Sequence, residues 1–255
     1  MIKFENIKAL IFDLDNTLLR PDKTISPYTA SVLFECKKRS IKLMIATARP
    51  ERAVADFLKA TDFDAMTVSN GGRVIFGKSR VEKRISFNTA EKLLTVLKST
   101  PHLPITLETG DCAYSNIPID EYETIVCEDL ISIAKAKGSM KLLAHTNNGE
   151  LLGSIKKELP EDVYFTVAHG DLMQIMSRSA TKWKGIEMML SSVGILPENA
   201  VYFGDDHDDI EPIKRCGVGV AVANGTIEAK AAADHIAESN DRDGVAKFIK
   251  QNLLK

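Results

Sequence analysis

The 255-residue sequence lacks the features that mark membrane proteins, secreted proteins and zinc proteins. No apolar run approaches the roughly 20 residues that are needed to cross a bilayer, and the first residues lack the layout of a signal peptide. The four cysteines are scattered without a CxxC pair, and the five histidines show no zinc-ligand spacing. We therefore expect a soluble, cytoplasmic protein whose thiols are reduced.

The sequence also lacks a strong charge of either sign. Its 33 basic and 35 acidic residues leave a formal net charge of −2, so neither nucleic acid nor an anionic membrane is expected as a partner. A hydrophobic content of 44% and a charged content of 27% are typical of a folded globular chain. The length suits one large domain or two modest ones.

One stretch combines a buried strand with acidic side chains. The apolar residues Ala9–Phe12 have the length and composition of a buried parallel strand, and Asp13 and Asp15 follow directly, with Thr17 two residues further on. α/β sheets place their ligands at the carboxyl ends of such strands. Two neighbouring carboxylates repel each other, so they need a cation, a shared proton or solvent. Taken alone, the stretch also fits a polar loop or a helix N-cap.

The pattern of elements divides the chain into two parts. In residues 1–82 and 180–255, short apolar strands alternate with amphipathic helices, one of them expected at 51–59, which predicts a Rossmann-like core with a parallel sheet and right-handed crossovers. In residues 83–179, short strands are grouped with helices without regular alternation. This pattern predicts an inserted α+β domain with antiparallel strands.

The predicted core strands end in residues that carry chemistry. Asp13, Thr47, Asn70 and Asp205 each lie just after a strand, and Asp209 follows Asp205 closely. The carboxyl ends of parallel strands share one edge of a sheet, whereas chance would scatter polar residues over both edges. The repetition therefore predicts a site at this edge.

These residue types suit phosphoryl transfer through an aspartyl phosphate. One carboxylate can attack phosphorus, and a second can protonate the leaving oxygen. Because the attacking anion and the phosphate repel each other, a hard divalent cation is required, and Asp13, Asp205 and a loop carbonyl offer the oxygen ligands that Mg²⁺ prefers. The Thr47 hydroxyl and a lysine near residue 181 can hold the phosphoryl oxygens.

Several of these residues also have simpler interpretations. Thr47 alone fits a helix cap, Lys182 alone fits a solvated surface lysine, and Asn70 followed by two glycines fits a hairpin turn. The four acids between Asp205 and Asp209 are harder to explain without a cation, because they follow a buried strand. His207 is interpreted as a surface residue, since no second histidine is spaced to form a metal site with it.

Together the motifs resemble the haloacid dehalogenase-like hydrolase superfamily, and within it the Cof-type, class IIB phosphatases. Lys182 falls where the lysine of the third motif is expected, although Lys184 competes for that place. Ala48 replaces the usual glycine of the second motif, and Asp208 stands where this subfamily usually has asparagine. The other motifs that carry the resemblance are FDLDNTL at residues 12–18, ATARP at 46–50, NG at 70–71 and GDDHDD at 204–209.

The resemblance implies a Mg²⁺-dependent phosphatase of small phosphorylated metabolites. Sugar phosphates are favoured by family analogy, with nucleotides, flavin mononucleotide and pyridoxal phosphate as alternatives. It implies that Asp13 is the nucleophile and Asp15 the general acid and base. The implied phosphate-binding residues are Thr47, Asn70, Lys182 and Asn224, and the implied metal ligands are Asp13, the Asp15 carbonyl, Asp205 and Asp209.

The inserted domain is implied to be a cap that closes over the site and reads the leaving group. Its candidate specificity residues, among which the sequence does not choose, are Glu108, Asp111, Tyr114, His145, His169 and Arg178.

Three other functions fit the same core. A phosphohexomutase would isomerise a sugar phosphate without releasing phosphate. A signalling receiver would hold phosphate on Asp13, but Asp15 argues against this because a nearby acid or base favours turnover. A binding protein that keeps the fold without catalysis is disfavoured by the intact set of Asp13, Asp15, Thr47, Lys182 and Asp205. The sequence leaves the oligomeric state open.

Overall fold

The computed structural model describes residues 4–55, 57, 61–119, 123–168 and 170–254. The chain forms two compact units. The core unit consists of Met1–Val81 and Lys182–Lys255, and the inserted unit consists of Glu82–Thr181.

The strands and helices follow one another along the chain with short connections. The strands are β1 Ala9–Phe12, β2 Lys42–Ala46, β3 Ala65–Val68, β4 Arg73–Phe76, β5 Ser79–Glu82, β6 Ile105–Glu108, β7 Ala113–Ser115, β8 Ile125–Val126, β9 Lys141–His145, β10 Val163–Ala168, β11 Leu172–Ser177, β12 Ala200–Gly204, β13 Val218–Val222 and β14 His235–Ala237. The α-helices are α1 Pro27–Lys38, α2 Phe87–Lys98, α3 Leu130–Lys137, α4 Gly149–Glu158, α5 Lys182–Ser192, α6 Ile210–Arg215, α7 Ile227–Ala232 and α8 Gly244–Asn252.

The core unit is built on an eight-stranded sheet of order β14-β13-β12-β1-β2-β3-β4-β5. The strands from β14 to β3 pair in parallel, and β4 runs antiparallel to β3. In register, Phe12 lies beside Phe203 on β12 and beside Ile45 on β2. The carboxyl ends of the three central strands are therefore level, which confirms the predicted Rossmann-like parallel core.

Apolar side chains cover both faces of this sheet. Leu10 and Phe12 point to one face, where α1 and α8 supply buried partners. Ala9 and Ile11 point to the other face, where α5, α6 and α7 pack. Since β1 is buried on both sides, its polar side chains are confined to the point where the strand ends.

Two local features differ from the sequence-based prediction. The helix predicted over 51–59 is instead a short 3₁₀ turn at Glu51–Ala53, and residues 56 and 58–60 lie outside the described part of the chain. Glu51 makes ion pairs with Arg73 at 2.6 Å and with Arg80 at 2.8 Å, which hold the turn against the β4–β5 hairpin. That hairpin was not predicted, because the sequence gives it no regular alternation of apolar and polar residues.

The inserted unit has the predicted α+β character. Its six-stranded sheet has the order β10-β11-β9-β6-β7-β8, and the predicted hairpin is formed by β10 and β11 in antiparallel pairing. Helices α2, α3 and α4 contribute buried apolar side chains to a core of its own, which includes Tyr114. Of the other candidate specificity residues, Glu108 is paired in register with Lys141, and His169 lies outside the described residues.

Within the described ranges, no helix combines the length and the hydrophobicity that a bilayer-crossing segment requires.

Candidate active site

The end of β1 places the first carboxylate. The Asp13 backbone N–H donates to the Phe203 carbonyl at 2.9 Å, so the β1–β12 ladder extends through this buried residue and fixes the start of its side chain. The chain then turns sharply at Leu14–Leu18. The turn delivers the Thr17 hydroxyl to Asp205 Oδ1 at 2.7 Å, which ties the loop after β1 to the loop after β12.

The end of β12 is shaped around Asp209. One oxygen of this fully buried carboxylate accepts the backbone N–H groups of Asp205 at 2.8 Å and Asp206 at 3.0 Å. Gly204 permits the fold, because a Cβ at that position would lie 2.5 Å from Asp209 Cβ. The other oxygen of Asp209 accepts Lys182 Nζ at 2.6 Å and the Tyr202 hydroxyl.

Lys182 begins α5 and is only 4% exposed. Its Nζ lies 3.0 Å from Asp13 Oδ1, 2.6 Å from Asp209 Oδ1 and 3.1 Å from Asp208 Oδ2. Lys184, two residues further along the same helix, is exposed. The structure therefore brings Lys182, and not Lys184, to the carboxylates, and it excludes the simpler interpretation of a solvated surface lysine.

The turn between β3 and β4 brings Asn70 to the same cluster. Asn70 has the left-handed φ of 55°, which asparagine tolerates better than most residues. Its Nδ2 donates to Asp208 Oδ2 at 2.7 Å. The hairpin-turn interpretation of Asn70 is thus correct, and its side chain contacts the acidic cluster as well.

A second group of charges surrounds Asp15. Arg49 donates to both of its carboxylate oxygens, through Nε at 2.6 Å and Nη2 at 2.7 Å, and Lys23 Nζ lies 2.8 Å from one of them. Although burial raises the pKa of Asp15, the hydrogen bonds and charges of Arg49 and Lys23 outweigh this effect and hold the pKa below its usual value. The backbone N–H of Arg49 donates to Thr47 Oγ1 at 3.2 Å, which places Thr47 beside this group.

The charges of the first cluster do not balance. Among the described residues, Lys182 is the cation that contacts the carboxylates of Asp13, Asp208 and Asp209, and its charge also acts on Asp205. Burial raises the pKa of Asp13 well above its usual value against the opposing charge of Lys182. Burial and the neighbouring Asp209 raise the pKa of Asp205 to about 7. Burial lowers the pKa of Lys182, but the carboxylates outweigh it and keep the ammonium protonated.

The donor set fits a hard divalent cation. One carboxylate oxygen from each of Asp13, Asp205 and Asp209 lies within 4.8 Å of the others, and all three side chains are buried. Oxygen donors of this kind are preferred by Mg²⁺ and Ca²⁺. Both oxygens of Asp209 already accept two hydrogen bonds each. Asp13 and Asp205 therefore have more capacity to bind a metal ion directly, and Asp209 is better placed to orient the site.

The predicted phosphate-binding residue Asn224 lies in a different setting. Its Nδ2 donates to the Asn16 carbonyl at 2.7 Å, and its Oδ1 accepts the Asn240 N–H at 3.0 Å. Both ends of this exposed amide therefore contact backbone, and they hold the loop after β1 against the C-terminal segment. A role for Asn224 in phosphate binding stays a prediction.

Reasoning from the sequence missed the contacts made by three residues. Arg49 lies within the ATARP motif, which does not indicate its partner, and Lys23 lies outside the motifs. Tyr202 carried a usable signal, because a tyrosine in an otherwise apolar buried strand needs a partner for its hydroxyl group. The contacts of Arg49 and Lys23 with Asp15 depend on how two loops meet, for which the sequence contains no spacing rule.

Comparisons with known proteins agree with this geometry. A sequence profile of the haloacid dehalogenase-like hydrolase family matches residues 10–249. 5-amino-6-(5-phospho-D-ribitylamino)uracil phosphatase YitU of Bacillus subtilis is 24% identical over 95% of the chain and 96% of its own length. The structure of the HAD subclass IIB sugar phosphatase BT4131 superposes with a TM-score of 0.83 at 20% identity, covering 96% of this chain and 98% of that one.

One relative is named for a different activity. Endoribonuclease YBEY, chloroplastic, of Arabidopsis thaliana is 29% identical over 93% of the chain. The chain spans only 45% of the length of that protein.

Proposed function

The chain belongs to the haloacid dehalogenase-like hydrolase family, and on that premise we propose that it is a Mg²⁺-dependent phosphatase that cleaves small phosphomonoesters through an aspartyl phosphate on Asp13. The observation that carries the proposal is the burial of Lys182 against Asp13 at the carboxyl end of a parallel strand. The names of two relatives, YitU and the sugar phosphatase BT4131, support a small phosphorylated substrate. Sugar phosphates are the favoured class.

In the first half of the reaction, Asp13 attacks phosphorus. A bond forms between a carboxylate oxygen of Asp13 and phosphorus, and the bond from phosphorus to the leaving oxygen breaks. Lys182 holds Asp13 Oδ1 at 3.0 Å, which leaves Oδ2 to attack. Lys182 and the Thr47 hydroxyl donate to the phosphoryl oxygens, whose charge they stabilise. Asp15 gives its proton to the leaving oxygen.

In the second half of the reaction, Asp15 acts as a general base. It takes a proton from water, the water oxygen attacks phosphorus, and the bond between phosphorus and Asp13 breaks. Inorganic phosphate leaves and the Asp13 carboxylate is regenerated. Because Arg49 and Lys23 favour the ionised form of Asp15, one of these contacts has to loosen before Asp15 carries a proton. Lys23 is the more exposed of the two side chains.

The site would hold its divalent cation through Asp13, Asp205 and the main-chain carbonyl of Asp15, with Asp209 supporting them. When bound, the cation supplies the positive charge that lets a carboxylate approach a phosphate dianion. Asp209 orients the loop after β12 through its bonds to two backbone N–H groups. Thr17 orients Asp205 through its hydroxyl group.

The inserted unit is proposed to be the cap that selects the leaving group. Its polar residues Glu108 and Lys141 are paired in register on neighbouring strands and are both buried. Lys141 Nζ also donates to Gln174 Oε1 at 2.9 Å. This polar row in the inserted sheet supports a leaving group with hydroxyl or other hydrogen-bonding groups.

The test is phosphate release from p-nitrophenyl phosphate by the wild type and by Asp13→Asn, with Mg²⁺ and with EDTA. We expect release by the wild type that requires Mg²⁺ and is lost in the variant. Lys184→Met serves as a control, because Lys184 is an exposed lysine of the same helix as Lys182. Undiminished release by Asp13→Asn would exclude the aspartyl-phosphate mechanism, and undiminished release in EDTA would exclude the metal requirement.

A further inference from the structure

We propose that Asp208 limits the affinity of the site for phosphate by occupying two donors, Lys182 and Asn70, that the phosphoryl group needs. The inference rests on the proposed function, which takes Lys182 as a phosphate ligand, and on the phosphate-binding role that the resemblance implies for Asn70. Asp208 thereby influences the Michaelis constant and the strength of product inhibition.

The geometry places a single oxygen between the two donors. Asp208 Oδ2 lies 3.1 Å from Lys182 Nζ and 2.7 Å from Asn70 Nδ2. A carboxylate oxygen that accepts from an ammonium and an amide presents the same acceptor chemistry as a phosphate oxygen. A phosphate oxygen that used both donors would take the position that Asp208 Oδ2 has in this structure.

The neighbouring carboxylates have other roles in the cluster. Asp13 follows β1 directly as the proposed nucleophile, Thr17 orients Asp205, and Asp209 holds two backbone N–H groups. The contacts of the Asp208 side chain with Lys182 and Asn70, by contrast, are to groups proposed to bind substrate. Its side chain is also 30% exposed, whereas those of Asp13 and Asp209 are 8% and 1% exposed. Asp208 is therefore the member of the cluster best able to move aside.

The charge of Asp208 adds to the effect of its position. Lys182 is already in contact with Asp13 and Asp209, so its charge is neutralised even without Asp208. A phosphate dianion that enters the site must displace the Asp208 carboxylate and then bind beside it. The displacement of Asp208 and its charge repulsion both weaken the binding of phosphate. The substitution Asp208→Asn keeps nearly the same shape and removes the charge.

The test is the dissociation constant of inorganic phosphate, measured by titration calorimetry in buffer with Mg²⁺. We expect Asp208→Asn to bind phosphate about tenfold more tightly than the wild type, a change of the order expected for one fewer charge near a dianion in a partly solvated site. Asp206→Asn is the matched control. It removes one charge from the same loop, but Asp206 Oδ1 contacts His207, so phosphate affinity should stay within about twofold of wild type.

The contribution of Asn70 is tested in a second background. Asn70→Gly removes the amide while keeping the left-handed backbone, which glycine adopts freely. We expect the gain in phosphate affinity from Asp208→Ala, which vacates both donors, to shrink in that background, because one of the two donors that Asp208 occupies is missing. A gain of the same size in both backgrounds would overturn the role of Asn70.

An affinity of Asp208→Asn equal to or weaker than that of the wild type would overturn the inference. A damaged fold would not produce tighter binding, so the expected gain cannot be mistaken for a structural defect. Hydrolysis of p-nitrophenyl phosphate by the wild type distinguishes a failure of the role of Asp208 from a failure of the proposed function. Hydrolysis without the gain in affinity would refute the role of Asp208 alone, whereas absence of both hydrolysis and phosphate binding would refute the proposed function as well.

Discussion

Replacing Lys182 by methionine should unfold the core unit at a lower temperature and should increase its response to Mg²⁺. Methionine keeps the length of the side chain and removes its charge. In the wild type, Lys182 Nζ lies within 3.1 Å of carboxylate oxygens of three residues, and it is buried. Without it, Asp13, Asp208 and Asp209 lose the cation that contacts all three of them in the described part of the chain.

The size of the loss follows from the burial of these groups. Removing one partner of a buried ion pair costs about 3–5 kcal/mol, because the remaining charge is left without compensation. The raised pKa of Asp13 means that part of this cost is avoided by taking up a proton. The lower end of the range then corresponds to a fall in melting temperature of roughly 6–12 °C for a unit of this size.

The assay is a thermal melt of wild type, Lys182→Met and Lys184→Met in EDTA and in excess Mg²⁺. Lys184 is exposed on the same helix, and an exposed charged side chain contributes at most about 1 kcal/mol to stability, so its substitution should cost far less than that of Lys182. A cation bound among uncompensated carboxylates replaces the missing ammonium, so Mg²⁺ should raise the melting temperature of Lys182→Met more than that of the wild type. Equal melting temperatures for the two lysine variants in EDTA would refute this reasoning.

Three further predictions concern packing, the general acid and the thiols. Gly204→Ala should destabilise the protein by about 1–3 kcal/mol, because the new Cβ would lie 2.5 Å from Asp209 Cβ. Gly153→Ala should instead stabilise it by up to about 1 kcal/mol, because a Cβ at this position in helix α4 would meet no packed neighbour within 4 Å. Denaturant melts in which both variants change the free energy of unfolding in the same direction would contradict this. Arg49→Lys should lower kcat/KM about tenfold more for an alkyl phosphate than for p-nitrophenyl phosphate, because Arg49 positions Asp15 and, in the first half of the reaction, only the poor leaving group requires the Asp15 proton. An equal loss for both substrates would count against that role. A thiol reagent followed by mass spectrometry should first label the half-buried cysteines, Cys112 and Cys127. The buried Cys36 and Cys216, whose pKa values burial raises to about 11 and about 12, should react only after unfolding. Early labelling of Cys36 or Cys216 would be inconsistent with the structure.

The parallel core was predictable because its strands are buried on both faces. β1, β12 and β13 are continuous apolar runs in the sequence, and each ends abruptly at polar residues. The sequence could not predict the β4–β5 hairpin. Its Arg73 is buried but forms an ion pair with Glu51, and such a pair depends on the tertiary structure.

The candidate site was predictable where chemistry follows a strand directly. Asp13 and Asp205 are fixed by the ends of β1 and β12, so their meeting follows from the order of parallel strands. The choice between Lys182 and Lys184 required the structure, because it depends on which side of α5 faces the sheet. The contacts of Asp15 with Arg49 and Lys23 could not be predicted from the sequence either, since loop conformation determines them.

The most direct test of the central claim is chemical identification of the phosphorylated residue. Asp15→Asn should accept phosphate from p-nitrophenyl phosphate, whose leaving group needs no protonation, but should lose it slowly for lack of a base. After acid quenching, borohydride reduces an aspartyl phosphate to homoserine, and peptide mass spectrometry locates the change. We predict that position 13 is modified, and only when Mg²⁺ is present. Phosphate release by the wild type together with an unmodified Asp13 in the quenched variant would contradict it.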